Sequence, residues 1–450
     1  MTSLLDQSAL TDLAERLVEA ARRAGADAAD AVAVRSVSLG VEVRDGHVEE
    51  SERAEGDDVG LRVLVGRRQA LVSTNDTKGD GVAALAERAL AMARAAPEDP
   101  FAGLADRDEL ARQIPDLDLL DPDMPSVERL ERLALAAEAA GLAVPGVAKS
   151  GGASASAGIG GMVLVTSHGF HAAYLGSRHG ISMIAIAGEG LSMERDYDFA
   201  SALHAADLDA PEKIGRAAGE RTVRRLNPRK VATKKVPVVF DSRVSGGLIG
   251  HLAGAINGSA IARKTSFLKD KMGEQLFAAG IRIVDDPLRR RGLRSRPFDA
   301  EGVAGERRVV VDDGKLVSWF LDSATARELK LATTGHAQRG VSSAPTPGPT
   351  NLHLEPGTVS PEALIADIDE GFYAVDMIGV GVNLVTGDYS RGAAGFWIEK
   401  GKLTYPVSGV TIAGHLFEVF RTLHPANDLQ FRYGTNAPTV RVEGLTVAGH

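Results

Sequence analysis

Apolar residues recur at helical spacing near the start of the chain. Leu10, Leu13, Ala14, Leu17, Val18 and Ala21 fall on one face, and Gly25 supplies a stop. The period then changes. Val41 and Val43 lead into Asp45-Gly46 and on to Val48, a hairpin signal, because Asp-Gly tolerates the positive φ of a tight two-residue turn. Val59, Leu61, Val63 and Val65 alternate strictly, which predicts a half-buried strand. Helical spacing returns at Val82, Leu85, Ala86, Ala89, Leu90 and Ala93. The proline-bearing, acid-rich residues 97–125 predict a loop crossing the surface, and Ser126 predicts the cap of a third helix carrying Leu130, Leu133 and Ala137. Residues 150–161, rich in Gly, Ser and Ala, read as an introduction to strands at 162–166, 171–175 and 181–187. Residues 212–226 read as a helix closing the first half.

Asn227-Pro228-Arg229-Lys230 is the expected linker, since proline stops the helix and the charges keep the segment in water. The second half restarts with a short apolar strand at 236–240 and a helix of small residues at 245–256. After it, Asp313-Gly314 and Lys400-Gly401 each sit between apolar runs and predict antiparallel hairpins. The expected fold class is α+β in two domains: residues 1–230, an antiparallel sheet with helices, and residues 231–450, mainly antiparallel β with few helices.

Composition narrows the function classes. The chain has 450 residues, 44% hydrophobic and 25% charged, as an ordinary globular protein has. Cysteine is absent, which removes disulfides, thiolate nucleophiles and Cys-ligated metal sites. Residues 1–17 hold no apolar leader core, and no apolar run reaches the ~18 residues of a membrane span, so the cytosol is the expected compartment, with no membrane partner. The net charge of -9 gives no support to direct nucleic-acid binding. The one basic run, Arg289-Arg290-Arg291 with Arg294 and Arg296, reads as a solvated loop.

Familiar catalytic motifs are missing. No His is followed by Glu, so no His-Glu-x-x-His zinc helix is present. Gly158-Ile159-Gly160-Gly161 lacks the Lys-Ser/Thr of a phosphate loop, and no nucleophile elbow appears in context. His168 and His171, around Gly169, and His353 with Glu355 are candidate metal pairs that lack an evident third ligand. Three segments stand out. Alternating Pro345, Pro347 and Pro349 impose an extended path into Thr350-Asn351-Leu352-His353-Leu354-Glu355. Thr386-Gly387-Asp388-Tyr389-Ser390-Arg391-Gly392 packs polar side chains between glycines in an expected turn, where Asp388 could pair with Arg391. Ala262-Arg263-Lys264-Thr265-Ser266 follows the second-half helix.

Together with Val238-Val239-Phe240-Asp241-Ser242, Gly273-Glu274-Gln275, Pro347-Gly348-Pro349, Glu355-Pro356-Gly357, Gly381-Val382-Asn383 and Ile412-Ala413-Gly414, these segments resemble the TldD/TldE family, on its TldE (PmbA) branch. The resemblance spans nearly the whole chain. It implies a subunit that pairs with a TldD-type protease chain and acts on unfolded or flexible peptides; the name "modulator of DNA gyrase" also attaches to the family. The TldD-type chain carries a His-Glu-x-x-x-His helix and supplies zinc. Counting back from Gly273-Glu274-Gln275 puts those three positions here at Ile249, Gly250 and Gly254, with His251 out of register. The resemblance therefore implies no catalytic residue and no metal ligand in this chain, with zinc held by the partner. Asp388, Tyr389, Ser390, Arg391, Asn351 and Arg263 are the expected peptide- or partner-binding residues. Two other readings stand beside this one: a non-enzymatic peptide- or partner-binding protein, and a homo-oligomeric peptidase recruiting metal through His168 and His171.

Overall fold

Helix α1 (Ser8–Ala24) buries Leu10, Leu13, Ala14, Leu17, Val18 and Ala21 and ends where Gly25 turns left-handed at φ 108°, its N–H returning to the Arg22 carbonyl. The computed structural model describes residues 6–78 and 81–449; Met1–Leu5, the start of the segment read for a leader, lie outside the described residues. β1 (Ala28–Arg44) and β2 (His47–Val65) join through Asp45 and Gly46 at φ 52° and 76°, the anticipated turn. β3 (Arg68–Thr74), α2 (Val82–Ala95), α3 (Val127–Leu142), β4 (Val147–Thr166), β5 (His171–Ala187), β6 (Glu194–Ala202) and α4 (Pro211–Arg224) follow. Ser126 caps α3 by accepting the Arg129 N–H at 3.3 Å. The six strands form one antiparallel sheet in the order β3-β2-β1-β4-β5-β6. Helices α1 and α2 cover one end of a face and α3 and α4 the other.

Several expectations need correction. Residues 150–161 are the body of β4, not a lead-in, and β5 runs unbroken over the two strands expected there. Ala153, Ala155 and Ala157 do alternate inward and are buried. The helices pack so closely that small side chains fill the space: a Cβ on Gly141 of α3 would meet Met183 at 2.9 Å. The strand expected to be half-buried is buried on both faces from Gly60 to Leu64. Residues 97–125 form the expected loop, much of it exposed, but it is anchored to the fold. They bury Leu104, Leu117 and Leu119, and the Ala111 N–H donates to the Gly302 carbonyl at 2.8 Å, strapping the two halves together. The basic run is pinned as well: Arg291 Nε donates to Asp118 at 2.6 Å, and Arg289 stacks on the Phe431 ring at 3.4 Å.

From residue 234 onward the chain builds smaller sheets. β7 (Lys234–Phe240) leads into α5 (Ser242–Ala255). β8 (Ile283–Asp285), β9 (Arg308–Asp312) and β10 (Lys315–Leu316) precede β11 (Ala337–Gln338), β12 (Thr346–Pro347) and β13 (Leu352–Leu354). β14 (Glu370–Ile378), β15 (Asp388–Glu399), β16 (Lys402–His415), β17 (His424–Pro425), β18 (Thr435–Asn436) and β19 (Val440–Ala448) complete the set. The main sheet runs β16-β15-β14-β7-β19-β17, and a further β16–β19 pairing closes it into a ring. Most pairs are antiparallel; β7–β14 and β13–β18 are parallel. Asp313-Gly314 and Lys400-Gly401 form the expected turns, at φ 48°, 79°, 48° and 73°. The fold is α+β.

The halves meet in a dry, charged seam. Asp30 of β1, 1% exposed, accepts Arg62 Nε at 2.9 Å and Arg339 Nη1 at 2.6 Å, so one buried carboxylate joins a guanidinium from each half. Nearby, Asp299 accepts the N–H groups of Glu301, Val303 and Ala337 at 2.8–3.0 Å. The Glu301 carboxyl accepts the Ser323 N–H at 2.8 Å.

Candidate functional site

Helix α5 starts on a firm footing. Asp241 accepts the Arg243 N–H at 3.0 Å, and the Tyr373 hydroxyl holds the same carboxylate at 3.0 Å. Leu248, Ile249, Leu252, Ala253 and Ala255 bury one face in the main core of this half. The other face is Gly247 and Gly250, both exposed, with His251 and Gly254 half-buried. Each glycine in a helix interior costs about 0.5–1 kcal/mol relative to Ala. A Cβ on Gly250 would meet nothing within 4 Å, so internal packing does not demand a glycine there. At Gly254 it would meet Leu384 Cδ1 at 2.8 Å.

The start of β15 lies beside this face. Tyr389, 3% exposed, sets its ring edge-on to His251 with centroids 5.9 Å apart. Arg391 donates to the Met377 carbonyl at 3.2 Å, and its Nη1 is 4.0 Å from where a Gly247 Cβ would sit. Burial, and then the Arg391 charge, push the His251 imidazole down to about 4, so it is neutral at pH 7. Burial raises the Tyr389 hydroxyl well above the usual phenol range. His251 Nε2 and Arg391 Nε are buried without hydrogen-bond partners among the described residues, so this cluster holds unused donor and acceptor capacity.

Only part of the expected set converges here. Residues 388–391 are the first residues of β15, not a turn; the turn precedes them at Gly387, φ 90°. Strand alternation sends Tyr389 inward and leaves Asp388 and Ser390 exposed. Asp388 does not pair with Arg391 but accepts the Thr386 hydroxyl at 2.6 Å. Asn351 is buried and spent on the fold: its Oδ1 accepts the Arg294 N–H at 2.9 Å, and its Nδ2 donates to Asp286 O at 2.7 Å and Ser295 Oγ at 2.8 Å. That leaves it nothing to offer a peptide. Arg263 is exposed after the short helix Gly258–Ala262, apart from the cluster. The sequence reading passed over His251 as a binding residue, and it missed the β14–β15 loop. There Ile378, Val380 and Val385 are 61%, 95% and 57% exposed. The available signal was a run of β-branched residues among glycines, Ile378-Gly379-Val380-Gly381-Val382.

The donor set does not fit zinc. At the three positions of α5 where the resemblance would place zinc ligands, Ile249 is buried in the core, and Gly250 and Gly254 have no side chain. His168 is engaged with the Ala105 carbonyl at 3.0 Å. His353 packs on Phe431, and Glu355 pairs with Arg307 at 3.1 Å. Among the described residues no group of three or more His, Asp or Glu could hold a metal ion.

Comparison with known proteins agrees with the architecture. Family models for the PmbA/TldA metallopeptidase match in three successive pieces: domain 1 at residues 29–93, the central domain at 120–226 and the C-terminal domain at 233–449. The chain is 37% identical to "Metalloprotease PmbA" of Escherichia coli O157:H7, over 94% of this chain and 92% of that one. Among solved structures, a candidate modulator of DNA gyrase from Bacteroides thetaiotaomicron superposes with a TM-score of 0.90 at 28% identity, covering 98% of both chains. TldE from Thermococcus kodakarensis shares the fold, with a TM-score of 0.87 at 21% identity over 97% of this chain and all of that one. The chain belongs to the PmbA/TldD metallopeptidase family, on its PmbA/TldE side.

Proposed function

We propose that this chain is the metal-free subunit of a two-chain PmbA/TldD peptidase. The open face of α5 forms a wall along which a flexible peptide lies, and a TldD-type partner supplies the zinc. The observation that carries this reading is the open face of α5 at Gly247 and Gly250, on the helix where the resemblance would place a TldD-type ligand set and where this chain has Ile249, Gly250 and Gly254. Half-length matches to "Metalloprotease TldD homolog" chains, 28% identical in Haemophilus influenzae, support a partner of that kind. The exposed apolar Ile378, Val380 and Val385 suit a protein contact beside the wall.

What this chain would contribute is position. Bare helix backbone lets a peptide approach closely. His251 and Arg391 supply a neutral imidazole and a fixed cation, with the buried Tyr389 ring packed against His251. Holding a substrate in register can lower a barrier by several kcal/mol. Among the described residues no helix is long and apolar enough to cross a membrane. The proposed setting is the cytosol, and the proposed domains are residues 1–230 and 231–450.

The test is to purify the chain alone and after mixing with a TldD-type subunit. Alone, it is expected to hold no stoichiometric zinc and to cleave no peptide; the mixture is expected to cleave unfolded peptides. About one tightly held zinc per isolated chain by elemental analysis would overturn the reading.

A further inference from the structure

Next to the first turns of α5, where the two halves face each other, lies an open cleft of about 440 Å³. Four arginines line it, Arg178, Arg243, Arg294 and Arg432, and no carboxylate does, in a chain whose net charge is -9. Two of the four are engaged with acids behind the wall. Arg243 Nη2 donates to Asp196 at 2.7 Å, and Arg432 Nη2 donates to Asp198 at 3.0 Å. The other two pair with no acid among the described residues. Arg178 is exposed and gives Nη2 to the neutral Leu293 carbonyl at 3.0 Å. Arg294 is exposed and lies over Gly434, so close that a Cβ there would collide with it. Its guanidinium has no hydrogen-bond partner among the described residues. Phe199 and Tyr433, edge-to-face at 5.4 Å, line the same cleft, and Arg432 lies over the Phe199 ring at 5.5 Å.

The cleft continues into the proposed peptide wall. Gly246 and Gly247 line it; Gly247 also begins the open face of α5 and borders Arg391. We infer that this cleft is a carboxylate subsite, which receives a carboxylate of the bound peptide, either its C-terminal group or an acidic side chain. The inference rests on the peptide-wall reading above. Guanidinium groups suit carboxylates because their donors form a planar fork. The separation is also informative. Gly247 to Gly254 spans about 10 Å of helix, which is about three residues of extended peptide. The carboxylate would therefore sit about three residues from the segment lying against Gly254.

The test uses one fluorescent peptide in four forms: free C-terminus, C-terminal amide, and the amide with a single internal Glu or Gln. Anisotropy is measured on the full chain and on its mixture with a TldD-type subunit. The free acid is expected to bind about tenfold tighter than the amide, with the advantage shrinking as salt rises. Restored affinity in the Glu amide but not the Gln amide assigns the subsite to acidic side chains; an advantage confined to the free acid assigns it to the peptide terminus. Arg178→Gln with Arg294→Gln is expected to erase the difference while leaving amide binding and the melting temperature unchanged, and Arg178→Lys with Arg294→Lys is expected to restore part of it. Equal binding of acid, amide and Glu forms would overturn the subsite and leave the wall intact. So would a difference that survives the Gln variant, or displacement by inorganic phosphate where acetate at equal concentration does nothing. If no form binds chain or mixture, the peptide-wall reading itself fails, and this inference with it.

Discussion

Two glycines on the inner elements of this molecule behave oppositely. Gly60 of β2 lies against the Val341 carbonyl at the seam between the halves, and an added Cβ would run into that backbone. Gly250 of α5 looks onto open space. The charged groups around them differ in the same way. At the seam, Asp30 is matched by Arg62 and Arg339 and shut away from water. Around α5, two arginines of the neighbouring cleft pair with no acid among the described residues. At the seam the buried carboxylate is paired on both sides by guanidinium groups, as a structural joint needs, although Nε and Nη2 of Arg339 stay without partners there among the described residues. An open glycine face beside spare donors costs helix stability without any packing return, and such costs are kept where a ligand or partner approaches.

The comparison can be broken most directly at the seam. Asp30→Ala strands two buried guanidinium groups and is expected to cost about 3–5 kcal/mol of unfolding free energy, measured by urea titration. A loss below about 1 kcal/mol would mean that water reaches the site and that the seam is not dry. The second test is pH. Burial, and then the Asp299 charge, push the Glu301 carboxyl up to about 7. The folded protein keeps a proton that the unfolded chain has released, so the stability this group gives is complete below the ordinary glutamate range and is lost as pH rises through about 7. Glu301→Gln is expected to flatten the fall in stability between pH 5 and 7 by a few kcal/mol; an unchanged slope would place the titration elsewhere.

Smaller effects sharpen the contrast. Gly60→Ala is expected to cost about 1–3 kcal/mol through overpacking against Val341. Gly250→Ala, the same substitution on the open face, is expected to stabilise the fold by up to about 1 kcal/mol, because Ala favours the helix and meets no neighbour. Melting temperatures moving in the same direction for both would show that the two surfaces do not differ as described.

Local signals explain what the sequence made legible. Asp45-Gly46, Asp313-Gly314, Lys400-Gly401, the Ser126 cap and the face of α1 are each settled within a few residues, and each appears in the fold. The body of β4 was hidden because its inward positions are Ala153, Ala155 and Ala157, whose alternation becomes meaningful only once close-packed helices cover them. The second burying face of β2 was hidden because Val341, which lies against Gly60, comes from the other half of the chain. The site shows the same division. Tyr389 and Arg391 were marked by their polar run between glycines, but their neighbour His251 is far away in sequence. Asn351 looked available beside its prolines and is consumed by Arg294, Asp286 and Ser295. The arginine cleft draws on separate segments of both halves, so no local pattern announced it.

On the reading proposed above, the peptide lies along the open face of α5. Gly250→Trp tests this placement, since a Cβ added at the exposed Gly250 meets nothing within 4 Å. The variant is mixed with a TldD-type subunit, its assembly and melting temperature are confirmed unchanged, and the rate of peptide cleavage is measured against the unsubstituted mixture. A drop of at least tenfold in cleavage is the expected result; full cleavage by an intact, assembled Gly250→Trp mixture would contradict the account.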